Sequence, residues 1–215
     1  MPGTDREGKA IQKLIKAELL TRDNATAIAI QQRKKPKVLH IASHSFFLKN
    51  QIKNLPNPID YMSTSLESKN ETPLLRSGIV LAGANEPELN PNDDGYLTAL
   101  EITQLDWNGT ELVVISGCES GQGEIKSGEG VYGLKRAISV AGARSSLLSL
   151  WKVNDEATAA FMESFYKRPK EGKGRTEALV ETQQEFRSHR TNEDWRHPYI
   201  WAAFQLSGDW RPIKF

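Results

Sequence analysis

Two side chains in this sequence have the chemistry of a nucleophile and its base. His44 ends the segment Val38-Leu39-His40-Ile41-Ala42-Ser43-His44, and Cys118 sits in Ser116-Gly117-Cys118-Glu119-Ser120-Gly121. A thiol attacks only as thiolate, and a nearby imidazole favours that form. Gly117 and Gly121 flank the cysteine and permit a sharp turn and a close approach of substrate backbone. Backbone N–H groups at such a turn suit the oxyanion of an acyl-transfer intermediate. The same cysteine also fits a second role, that of a small buried hydrophobe, as for most free cysteines. Residue type and placement alone leave the two readings even.

His44 and Cys118 are far apart in sequence, so only the fold can unite them. Each follows a short apolar run. Residues 38–42, 78–82, 112–115, 145–151 and 199–206 read as strands, the third being rich in β-branched residues. Helices are expected over residues 9–20, 24–32, 98–104, 130–141, 154–166 and 175–188, the fifth opening on an Asn/Asp cap. The expected class is α/β: a mostly parallel central sheet with helices on both faces. Functional groups in such sheets gather beyond the carboxyl ends of the strands. Three strand ends carry reactive residues: Ser43-His44-Ser45, then the Cys118 loop, then Trp151-Lys152-Val153-Asn154-Asp155. Residues 49–77 form a long polar stretch with three prolines, and residues 85–95 read as a loop.

Other motifs carry less. His40 and His44 have helical zinc spacing, but Ile41 occupies the place of the zinc-motif Glu and the segment reads as a strand. His40 is expected in the core, and no metal or other cofactor is expected. His189 and His197 flank a polar loop and are expected at the surface. Gly128-Glu129-Gly130-Val131-Tyr132-Gly133 fits a dinucleotide fingerprint, yet it does not follow its strand directly; a glycine-rich helix start is favoured over nucleotide binding.

The chain has 215 residues, 28 basic against 27 acidic, and one cysteine. That length suffices for one domain with a full core. The charge balance gives no reason to expect nucleic acid or a membrane surface as partner. A lone cysteine precludes an intrachain disulfide and fits a reducing compartment, so a cytoplasmic location is expected.

Several of these segments resemble the CHAT domain, a caspase-like domain usually attached to TPR repeats. Residues 38–44 resemble its "LHIATHG" signature and residues 113–121 its "VLSACETG" signature. Gly128-Glu129-Gly130 through Ala141-Gly142-Ala143 resembles "GEG…L…AGA". Residues 150–158 resemble "LWxVDDEAT", residues 198–204 "HPxyWAaF", and Pro2-Gly3-Thr4 the opening "LPGT". The resemblance runs in order along nearly the whole chain. It implies a three-layer caspase–hemoglobinase fold and a cysteine endopeptidase with a Cys–His dyad. His44 is then the general base, Cys118 the nucleophile, and the backbone N–H groups of Ser45 and Cys118 the oxyanion hole. Ser45 stands where the family has Gly, and Gly117 where it has Ala. Separase, a related peptidase, has a similar Trp-x-Val-x-Asp segment near its pocket for a basic residue. That makes Asp155 a candidate partner for a substrate Arg or Lys at P1, with helix capping as its other role; Glu119 is a second candidate acid. The expected partners are a protein substrate and a TPR region or regulatory protein, the 215 residues being one domain cut from a longer chain. The alternative is a catalytically silent CHAT domain serving as a protein-interaction module.

Overall fold

The computed structural model describes residues 2–47, 74–85, 93–117, 129–188 and 192–215. Strands β1 (Val38–Ile41), β5 (Leu112–Ile115), β6 (Ser145–Ser149) and β7 (Phe204–Gly208) form one sheet in the order β1-β5-β6-β7. The first three are parallel and β7 runs antiparallel to β6. A second, antiparallel sheet orders β2 (Ser45–Phe47), β3 (Ser77–Val80) and β4 (Tyr96–Thr98) as β2-β3-β4.

The strand side chains alternate between two cores. Leu112, Val114 and Leu147 face one, Val113, Ile115 and Leu148 the other, as a two-residue period requires. The first core is covered by α1 (Pro2–Ile15), α5 (Asp155–Lys170) and α6 (Arg175–Arg187), through Ile11, Phe161, Phe165, Tyr166 and Phe186. The second is covered by α2 (Ala27–Gln31), α3 (Ala99–Ile102) and α4 (Glu129–Val140), through Ile30, Ile102, Leu134 and Ile138. These layers make the mixed α/β, caspase-like architecture expected from the sequence.

Local chemistry explains the boundaries. Thr26 caps α2 by accepting from the Ala29 N–H at 3.1 Å. Thr98 and Glu101 form a reciprocal capping box at α3. Helix α1 starts at Pro2 rather than near residue 9. Its first turn carries Asp5, which pairs with Lys9 at 2.7 Å, and it stops where Lys16 turns to φ 54°.

Two expectations are corrected. The apolar run near residue 78 is a strand, but it belongs to the small antiparallel sheet and not to the parallel one. The run 199–206 is divided: α7 (Pro198–Trp201) precedes β7. His197 caps α7, its Nδ1 accepting from the Tyr199 N–H at 3.1 Å, and Pro198 presets the first helical φ. The polar stretch and the Gly128 end of the glycine-rich motif lie outside the described residues, apart from the edges of the former. Among the described residues, no helix is long and apolar enough to cross a membrane.

Candidate functional site

The three reactive strand ends meet at one sheet edge. β1 and β5 are hydrogen-bonded neighbours, with Ile41 opposite Ile115. Beyond them the Ser116 N–H still donates to the Ile41 carbonyl at 3.1 Å. One residue further the two chains touch backbone to backbone. A Cβ on Gly117 would lie 1.1 Å from the Ser43 carbonyl oxygen, so only glycine fits there. The Gly117 carbonyl accepts from Ser149 Oγ at 2.8 Å, which ties this turn to the end of β6 as well. Cys118 and Glu119, the next residues in the sequence, lie outside the described residues.

His44 is held from its other side by the small sheet. The Val80 N–H donates to the His44 carbonyl at 2.8 Å, and Ser43 Oγ donates to the Val80 carbonyl. Hydrogen-bonded and non-bonded pairs alternate in an antiparallel ladder. The His44–Val80 bond therefore makes Ser45–Ile79 a non-bonded pair. The Ser45 N–H points away from β3, off the outer edge of the small sheet. Ser45 starts a strand, a role for which its substitution for glycine carries no conformational cost.

A cavity of about 130 Å³ opens at this junction, lined by Thr4, Glu7, His44, Ser116, Gly117, Lys152, Val153, Asp155 and Thr158. It thus joins α1, the His44 segment, the end of β5 and the start of α5. The two helices make close contact: a Cβ on Gly3 would fall 2.5 Å from Asp155 Cβ. The capping of α5 is done by Asn154, whose side chain accepts from Glu156 N–H at 2.9 Å and Ala157 N–H at 3.2 Å. Asp155 sits in the first turn, half-buried at the cavity wall, with no hydrogen bond or ion pair to a described residue. Its carboxylate still complements the helix dipole, but it does not cap.

Beneath the cavity lies a buried polar chain. His40 Nε2 is 2.9 Å from Glu7 Oε1, and His40 Nδ1 is 3.2 Å from the Tyr166 hydroxyl. Burial, and after it the charge of Glu7, push the Tyr166 hydroxyl above its ordinary range, so it stays protonated. The Tyr166 hydroxyl and the Glu7 carboxylate engage the two ring nitrogens of His40. His40 is thus a satisfied core histidine. His197 is at the surface, as expected, and His189 is outside the described residues. No cluster of His, Cys, Asp and Glu suited to a metal ion occurs among the described residues.

Glu7, Ser116 and Thr158 were not singled out by sequence. The nearest signal was Pro2-Gly3-Thr4, whose helix carries Glu7 into the site.

Human tetratricopeptide repeat protein 28 is 30% identical over 126 residues, covering 59% of this chain and 5% of that protein. Its mouse counterpart is 31% identical over 112 residues, covering 52% of this chain and 4% of that protein. This chain therefore matches about one-twentieth of the length of these relatives. The CHAT domain family matches residues 1–209, and the chain belongs to this caspase-like family.

Proposed function

We propose that the chain is a cysteine endopeptidase that cleaves protein substrates after a basic residue. The observation that carries this reading is the shared cavity: His44, Asp155, which has no partner among the described residues, and the glycine that precedes Cys118 line one space. In this reading His44 takes the Cys118 proton, and the thiolate sulfur attacks the scissile carbonyl. The N–H groups of Ser45 and Cys118 receive the oxyanion, consistent with a Ser45 N–H that is not spent on the ladder. The imidazolium returns the proton to the leaving amine, and water, deprotonated by His44, releases the acyl group. Asp155 pairs with the P1 cation, and Glu119 adds negative charge beside the nucleophile. The lone cysteine suits work in the reducing cytoplasm.

The test is alkylation of the single thiol by iodoacetamide as a function of pH. Fast labelling below neutral pH that is lost in His44→Ala supports a thiolate stabilised by the imidazole. Labelling that rises only near the ordinary thiol value of about 8.5 and ignores His44 refutes it. In a peptide-library digest, cleavage is expected to vanish in Cys118→Ala.

The second reading is a silent domain that recruits protein partners. Both relatives are tetratricopeptide repeat proteins by name, which favours a protein partner such as a repeat region for this chain too. It predicts partner binding indifferent to Cys118 and slow, His44-independent alkylation.

A further inference from the structure

Two serines of β6 hold β5 at both of its ends. Ser145 and Ser149 lie on one face of their strand, as residues an even number apart must. Ser145 Oγ donates to the Glu111 carbonyl, just before β5, at 2.5 Å. Ser149 Oγ donates to the Gly117 carbonyl, just past the end of β5, at 2.8 Å. The second bond falls on a peptide that nothing else in the covalent chain would fix. Gly117 is pressed against the Ser43 carbonyl, so a side chain is excluded there. Glycine is also the residue whose ψ is least restricted, and the ψ of Gly117 sets the direction of the peptide plane that follows it. A peptide unit is planar and trans, so its C=O and its N–H point in opposite directions. A bond that turns the Gly117 carbonyl toward Ser149 turns the N–H of the same plane away from β6. The strand order β1-β5-β6 puts β1 on that other side of β5, and His44 and Ser45 follow the end of β1.

We infer that Ser149 is a positioning residue for the oxyanion hole: its hydroxyl fixes the peptide between Gly117 and Cys118 so that this N–H faces the side of β5 on which His44 and Ser45 lie. The inference rests on the peptidase reading for the reaction that the N–H serves. Without the hydroxyl the glycine lets the plane turn, and one of the two oxyanion donors leaves its direction. The thiol and the imidazole are still present. The loss therefore falls only on steps that place charge on a carbonyl oxygen.

Two reactions of the single thiol separate these roles. Alkylation by iodoacetamide forms an S–C bond at a saturated carbon and expels iodide, so it needs the thiolate and no oxyanion hole. An acetylated tripeptide aldehyde ending in arginine adds the thiolate sulfur to its carbonyl carbon. The C=O π pair then passes to oxygen, as an alkoxide that the N–H donors hold. Aldehyde affinity is read by intact mass, as protection of Cys118 from iodoacetamide. Ser149→Ala is expected to weaken aldehyde binding about ten-fold or more. Its alkylation rate without aldehyde, and the dependence of that rate on His44, should stay those of the wild type. Ser149→Thr, which keeps the hydroxyl, should return most of the affinity. Ser145→Ala, which removes the matching bond at the far end of β5, should leave both reactions unchanged. In peptide hydrolysis the Ser149→Ala loss should fall on kcat, with KM little changed. Aldehyde affinity unchanged in Ser149→Ala overturns the assignment and leaves the peptidase reading standing. An equal fall in alkylation and aldehyde binding also overturns it, since Ser149 would then hold the whole turn and not one peptide plane. Wild-type alkylation that ignores both His44 and the aldehyde refutes the peptidase reading, and the role of Ser149 falls with it.

Discussion

Tyr166→Phe tests whether the polar chain under the cavity is dry. The substitution keeps the ring, which packs edge-on to His40 with centroids 5.6 Å apart, and removes only the hydroxyl. His40 Nδ1 then loses its hydrogen-bond partner in a largely buried site. The cost of an orphaned buried polar group is about 1–3 kcal/mol, so at neutral pH the variant should unfold at lower urea with an unchanged slope. For a chain of this size each kcal/mol lowers Tm by about 2–4 °C. The pH dependence adds a sharper test. Burial and the Glu7 charge raise the Tyr166 pKa well above its ordinary 10.0. Above pH 10 the unfolded tyrosine releases its proton while the folded one keeps it. The folded state then binds more protons than the unfolded state, and stability falls as pH rises. The slope for one such group is about 1.4 kcal/mol per pH unit. Tyr166→Phe has no such slope, so its deficit relative to wild type should shrink from pH 10 upward and close within about one or two units. The assay is urea unfolding of both proteins followed by far-ultraviolet circular dichroism between pH 8 and 11.5. A stability difference that stays constant across that range would refute a buried, protonated Tyr166. A difference of zero at pH 8 would refute the hydrogen bond to His40.

Gly117→Ala is expected to separate the two strand-end loops, because the new methyl has no space beside the Ser43 carbonyl. Iodoacetamide labelling of Cys118 should fall to the rate of His44→Ala, with about 1–3 kcal/mol lost in urea unfolding. Arg168 fastens α5 to α6, reaching Glu181 at 3.0 Å, Glu185 at 2.7 Å and Thr182 Oγ1 at 3.0 Å. Arg168→Ala should cost about 1–3 kcal/mol at pH 7. Burial alone would raise the Glu185 carboxyl, but the hydrogen bonds from Arg168 and Ser164 hold it below its ordinary 4.5. A lowered folded value stabilises above the unfolded one and is lost as pH falls, so the advantage of wild type over Arg168→Ala should narrow below about pH 4.5. Urea midpoints at pH 7 and pH 4 measure it.

The parts of this fold legible in the sequence are those whose signal is local. β5 is four buried residues, two of them β-branched valines, and its bounds match the apolar run 112–115. α5 announces itself with Asn154 and two acids, and the side-chain cap is there. β2 and β4 have three residues each, too few for a period, and they exist because β3 lies between them. The run 199–206 misled because aromatic and apolar residues suit both a buried turn of helix and a strand. His197-Pro198 decides for helix through capping and a fixed φ, signals that outweigh composition.

The candidate site divides along the same line. His44 and Ser45 follow directly from where β1 ends, and Asp155 from where α5 begins. Capping and ligand binding were equally open for Asp155 because two consecutive residues, Asn154 and Asp155, could each serve as the cap. The backbone allots that task to Asn154 and so leaves the Asp155 carboxylate at the cavity wall with no partner among the described residues. Glu7 precedes residue 9, at which the sequence reading starts the helix. On a helical wheel it falls on the apolar stripe of Ile11 and Leu14, and its burial is set by the approach of α1 to α5, where Gly3 admits the Asp155 backbone. A carboxylate placed by that contact and held by His40 belongs to the tertiary structure alone. His40 itself reads in sequence as half of a metal motif, whereas its place in the fold is to satisfy that acid from below while the cavity remains open above it.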